Sequence, residues 1–110
     1  MIVTTTEEVP GHAVKEIIGI ARGSSIRAKH LGKDLITGLR SIIGGELKEY
    51  GELIVETRKQ SLDRMRAQAE RMGADAVVNV RFETSQVMAG AAELLAYGTA
   101  VKLVPTADIG

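Results

Sequence analysis

Two short stretches of this chain carry almost no side-chain bulk on one face, and they restrict what it can fold into. Read as strands, residues 17–23 place Ile17, Gly19, Ala21 and Gly23 on one face, and residues 96–100 do the same with Ala96, Gly98 and Ala100. Small residues on a strand face let a neighbouring backbone come close. The chain offers one obvious neighbour, a long helical segment at about residues 46–72. Its stripe runs Leu47, Tyr50, Ile54, Ser61 or Leu62, Met65, Ala69 and Met72. Glu46, Glu49, Glu52 and Glu56 come early in it and Arg58, Lys59, Arg64, Arg66 and Arg71 late, the order that the helix macrodipole favours. Gly73 stands where a left-handed C-cap belongs.

The remaining elements follow from local pattern. Residues 14–26 also allow helical spacing through Val14, Ile17 and Ile18. Gly19, Gly23 and Ser24-Ser25 weaken a helix there, so a strand is expected, with Glu16, Ile18, Ile20 and Arg22 on its second face. Residues 75–84 alternate with period two, Ala76, Val78, Val80 and Phe82 against Val77, Asn79, Arg81 and Glu83. A connection at 85–90 leads to a further strand at 94–104, giving a hairpin whose loop exceeds two residues. Residues 2–6 are extended in character, and Val9-Pro10-Gly11 is a turn signal. Residues 32–43 read as a short helix through Leu35, Ile36, Leu39, Ile42 and Ile43, interrupted by Gly44-Gly45.

With the small faces under the helices, Ile18, Ile20, Tyr97, Val101 and Leu103 fall on the opposite side and stay wet in a lone subunit. A sheet with apolar residues on both faces needs a second cover. In 110 residues the simplest second cover is another copy of the chain. The expected organisation is one α+β domain over residues 1–104, followed by a flexible tail at 105–110.

Composition removes several classes of function. Lys plus Arg is 14 and Asp plus Glu is 14, which argues against a strongly basic nucleic-acid binder. Phe82, Tyr50 and Tyr97 are too few for a base-stacking platform, so nucleic acid is disfavoured as a partner. The chain has no cysteine, hence no disulfide, thiolate metal site or cysteine nucleophile. No run approaches the roughly 18 apolar residues of a membrane helix. Residues 1–8 show neither a positive leader nor an apolar core, so the expected location is the cytoplasm, with no membrane partner.

Candidate chemistry is sparse. His30 and Asp34, four apart, fit one helix face as paired metal ligands, and His12 follows the Pro-Gly turn near Glu7 and Glu8. The alternative is that both histidines lie on the surface beside turns. Gly44-Gly45 precedes a helix start that would suit an anion, but Glu46 and Glu49 repel one. Arg22, Arg27, Lys29, Lys33 and Arg40 face only Asp34 between positions 22 and 40, a basic segment that reads as a solvated face. Glu49, Glu52 and Glu56 share helical spacing without a visible pocket, and Ser24, Ser25, Ser41, Ser61 and Ser85 include no nucleophile elbow. No catalytic residue is assigned. No cofactor is expected beyond the option of a divalent metal.

Taken in order, Ile2-Val3-Thr4-Thr5-Thr6, Val9-Pro10-Gly11, Ile20-Ala21-Arg22-Gly23, Ile43-Gly44-Gly45, residues 72–78 (MGADAVV) and Tyr97-Gly98-Thr99-Ala100-Val101 resemble the YbjQ-like family of small bacterial and archaeal proteins. These are often labelled heavy-metal-binding, and their function is not established. The resemblance spans about residues 1–104. It implies a dodecin-like β-α-β-β subunit: a three-stranded antiparallel sheet of order 1-3-2, helices on one face, and assembly into a homopentameric ring. It supplies no catalytic residues. The function expected is a non-enzymatic homo-oligomer that binds a small ligand or ion in its channel or rim. The alternatives are a metal-binding or metal-sensing protein using His and carboxylate ligands, and an enzyme with an inter-subunit active site.

Overall fold

A computed structural model of the chain describes residues 1–27, 48–88 and 91–108. The expected helix at 32–43, the Gly44-Gly45 joint and most of the basic segment lie outside them. The described elements are β1 (Ile2–Val3), β2 (His12–Arg27), α1 (Lys48–Arg71), β3 (Ala76–Met88), β4 (Ala91–Pro105) and a 3₁₀ turn, Thr106–Asp108. They form one sheet in the order β1-β3-β4-β2, with α1 packed across one face, chiefly over β2 and β4.

The sheet corrects the expected three-stranded antiparallel arrangement of order 1-3-2. Ile2 and Val3 pair in parallel with Ala76 and Val77, which makes a fourth strand and a mixed sheet. Beyond Val3 the same edge continues through Thr4 N–H to Val77 O, Val80 N–H to Thr4 O and Asn79 N–H to Thr6 O, each at 3.0 Å. The last long strand, β4, lies between β3 and β2 and is antiparallel to both. Strands β3 and β4 also run past the expected connection at 85–90, leaving only residues 89 and 90 between them. The Pro-Gly turn is present: Gly11 has φ +79° and His12 N–H bonds to Val9 O at 3.0 Å.

Helix α1 ends as its last residues dictate. Gly73 adopts φ +80°, its N–H reaches Glu70 O, and Ala74 N–H reaches Ala69 O, both at 3.0 Å. This is the paired closure of a Schellman motif, which needs a residue that tolerates the left-handed region. On its inner face α1 buries Thr57, Ser61, Met65 and Ala69 against the small-residue faces of β2 and β4. Gly23 lies directly under the helix backbone, so a Cβ there would run into Met65 N and Ser61 O. The buried Ser61 hydroxyl lies 3.0 Å from Thr57 O and 2.9 Å from Leu94 O, joining the helix to β4. Ile54, expected in the stripe, is exposed instead, beyond the stretch where the small faces receive α1.

Two bulges decide which side chains reach this core. Along β2, Ile17 pairs with Val101 and Gly19 with Ala100, so one extra residue is inserted at position 18. Ile18 therefore packs towards the helix-side cluster of Ala21, Met65, Ala69, Val77, Val80, Ala96 and Ala100, while Ile17 points to water. This corrects the expected alternation, which put Ile17 on the small face and Ile18 on the wet one. Along β3, Val78 pairs with Thr99 and Arg81 with Tyr97, again one residue too many. Asn79 takes up the excess at φ +53°. As a result Val77 and Val80 share the helix side, whereas Ala76 and Val78 join the opposite cluster. This corrects strict period-two alternation, which places Val80 with Ala76 and Val78.

Asn is among the few non-glycine residues that tolerate the left-handed region, and a β-branched residue is poorly suited to it. Asn79→Val is expected to cost about 2 kcal/mol in urea unfolding, and Asn79→Gly to stay within about 0.5 kcal/mol of the parent. Equal effects from both changes would show that the backbone conformation is not the reason for Asn79.

Candidate functional site

The sheet face away from α1 is the feature that the fold leaves unfinished. Its β1–β3 side is closed by the chain itself. Val9, brought over by residues 4–11, covers Ala76, Val78 and Val101, with Leu103 packed at the margin. Thr106 N–H to Gly11 O at 3.0 Å ties the end of β4 to the same turn.

The β2 side has no such cover among the described residues. Val14 is 45% exposed, Ile17 69%, Ile20 64% and Ile26 56%. Register places them beside β4: Val14 faces Leu103, Ile17 faces Val101, Ile20 faces Thr99 and Ile26 faces Glu93. The result is an apolar stripe along a 16-residue outer strand. The bulge at Ile18 is what turns Ile17 into this stripe, so the same irregularity builds the core and the exposed surface. Exposed large apolar residues are ordinary singly; here Val14, Ile17 and Ile20 stand together beside Val101 and Leu103, with Arg22 and Ser24 between them and Ile26.

One polar row crosses the same face. Arg22 and Arg81 both pair with Tyr97, from opposite sides of β4. Arg81 is held in place, its Nη1 donating to Thr5 O at 3.0 Å and to Val80 O at 2.9 Å.

The residues singled out for metal do not come together. His12 is exposed at the start of β2, and its Nδ1–H donates to Pro10 O at 3.1 Å, which leaves Nε2 as its ligand atom. His30 and Asp34 lie outside the described residues. Among the described residues no three His, Cys, Asp or Glu side chains are grouped to hold an ion. Two of the serines serve packing: Ser25 Oγ donates to Gln60 Oε1 at 2.8 Å, and Ser61 is buried under the helix, while Ser41 lies outside the described residues. The side chains of Glu49 and Glu52 also lie outside the described set, and Glu56 is exposed. Among the described residues no helix is long and apolar enough to cross a membrane.

A four-stranded mixed sheet with one described helix on one face and an apolar row on the other defines a small α+β protein with a sheet surface that the described residues leave uncovered. The chain belongs to the YbjQ family: the family model described as "Putative heavy-metal-binding" matches residues 1–104. It is 60% identical over 104 residues to a UPF0145 protein of Methanosarcina acetivorans, covering 94% of this chain and 98% of that one. A UPF0145 protein of Archaeoglobus fulgidus is 59% identical, with 94% and 95% covered, and one of Thermotoga maritima is 52% identical, with 94% and 97% covered. A crystal structure of a protein of unknown function from Pediococcus pentosaceus shares the fold, with a TM-score of 0.54 at 17% identity, covering 94% of this chain and 98% of that chain.

Proposed function

We propose that this protein works as a cytoplasmic, non-enzymatic homo-oligomeric ring of dodecin-like subunits. In this reading the exposed face of β2 is closed by a neighbouring copy, and the ring's channel or rim binds a small ligand or ion. The observation that carries it is the stripe of Val14, Ile17, Ile20 and Ile26. Burying side chains of this size contributes about 1.5–3 kcal/mol each when complete, so a few per subunit suffice to drive association. The number five comes from the family likeness; a contact between copies of one kind around a closed ring is the simplest symmetry that supplies it. Sedimentation velocity with native mass spectrometry tests the reading. The expected species is a single closed ring, with any retained ligand seen in the same spectrum. A monomer at micromolar concentration would remove it.

Metal binding is the second reading, favoured by the family description. With no cysteine and two histidines, a site would draw on nitrogen and oxygen ligands, as zinc accepts. His12, His30 and Asp34 are its candidate ligands, and ligands from more than one subunit would have to converge. Calorimetric titration of the assembled protein with Zn²⁺ distinguishes the two. If metal is the ligand, saturable uptake is expected that falls at least tenfold in the His12→Ala, His30→Ala variant. Uptake unchanged by that variant removes both histidines from any site. An enzyme with its active site between subunits is the third possibility, and no observed geometry favours it.

A further inference from the structure

Among the described elements β2 is an outer strand, hydrogen-bonded to β4 on one side only, so its other edge carries a row of backbone donors and acceptors. Such an edge is a template for another strand unless something blocks it. Here α1 reaches over the edge. Gln68 Oε1 accepts the backbone N–H of Arg22 at 2.6 Å, and Arg64 Nη1 donates to the backbone carbonyl of Ser24, also at 2.6 Å. One donor and one acceptor, two residues apart on the same outward-facing set, are thus occupied by side chains four apart on one helix.

The geometry points to α1 as an edge guard: Gln68 and Arg64 occupy the positions that a second copy of β2 would otherwise pair with. This inference uses the edge of β2, whereas the ring proposed above uses its face; the two share Ile20 and Ile26, so the parent background carrying the same cysteines is the control that separates them. The occupant excluded is defined by the chain itself. In an antiparallel ladder alternate residues point their backbone groups outward, so Ile20, Arg22, Ser24 and Ile26 share the outer edge. Two copies of β2 meeting antiparallel about Gly23 would match Arg22 with Ser24 of the partner subunit and Ile20 with Ile26 of the partner subunit. That register brings exposed isoleucines together on the outer face, where both are accessible in the isolated chain. The described stretch of β1 has only two residues, Ile2 and Val3, and offers no comparable template.

The test compares three full-length proteins by light scattering and sedimentation across a concentration series. Gln68→Ala with Arg64→Ala removes acceptor and donor while favouring helix. Gln68→Glu with Arg64→Lys keeps an acceptor and a donor. The alanine pair is expected to form species larger than the parent's at concentrations at least tenfold lower, with unchanged helical circular dichroism. The conservative pair is expected to match the parent. Register is read in the opened variant by adding Ile20→Cys and Ile26→Cys to the otherwise cysteine-free chain. Oxidation should then give cross-linked chains that the parent background does not give. If the double alanine variant loses helix, Gln68→Ala alone is used, with a smaller shift in the same direction expected. The proposal is overturned if the opened variant keeps the parent's size distribution while Arg22 amide exchange accelerates. Larger species that form equally in the conservative pair overturn it too, as does an opened variant that forms them but gives no cross-link on oxidation once Ile20→Cys and Ile26→Cys are added.

Discussion

Gly23→Ala is expected to lower the melting temperature by roughly 12–24 °C, the largest effect of any single-methyl change in the described structure. At this position the added carbon meets Met65 N and Ser61 O, both backbone atoms of α1. No side chain can swing aside to make room. The helix would have to lift away from β2 as a unit, opening the packing of Met65 and Ala69 on Ala21 and weakening the Ser61 link to Leu94. Overpacking a core by a methyl group commonly costs 1–3 kcal/mol; with backbone on the receiving side about 3 kcal/mol is the appropriate figure. For a domain near this size each kcal/mol moves the midpoint by about 4–8 °C. Thermal melting followed by circular dichroism checks it. A shift under about 4 °C would mean that α1 does not sit on β2 as described.

The second large effect concerns assembly rather than folding. If the proposed ring forms through this face, Ile17→Lys together with Ile20→Lys is expected to convert it to monomers while leaving the subunit folded. Both side chains are mostly exposed in the single subunit, so their replacement removes little intramolecular contact. In an assembly that buries this face, each change places an ammonium group where an apolar contact was. Desolvating unpaired charge is far more expensive than losing the contact. Sedimentation velocity should show complete dissociation at concentrations where the parent is fully assembled, with helix content preserved. A charged double variant that still assembles would place the interface elsewhere, whatever the parent's stoichiometry.

Much of the local structure was legible in the residues. The left-handed cap at Gly73, the turn at Val9-Pro10-Gly11 and the body of the long helix rest on short-range rules, and each is present in the fold. The same holds for the small-residue faces beneath α1: Gly23 has the helix backbone directly over it, and Ala21, Ala96 and Ala100 are buried in the helix-side cluster. The candidate surface was less legible. Ile17 and Ile18 are adjacent and chemically identical, and nothing local says which of them faces the helix. A signal for the β3 bulge did exist: Asn79 is the residue in that run best suited to a left-handed conformation. Opposite the bulge, Gly98 has no space for a Cβ, which would lie 2.6 Å from Val77 Cγ1 and 2.8 Å from Val78 O. The edge contacts of Gln68 and Arg64 had no sequence signature, because they join positions 46 and 40 residues apart.

The amino-acid sequence by itself determined the long helix and its cap, the three long strands and the small faces beneath the helix. Those follow from side-chain size, backbone freedom and hydrophobic period, which act within a few residues. The tertiary structure alone decided the fourth strand, the bulges at Ile18 and Asn79 and the identity of the exposed row. Those depend on register between strands far apart in the chain, where one inserted residue exchanges the inside for the outside.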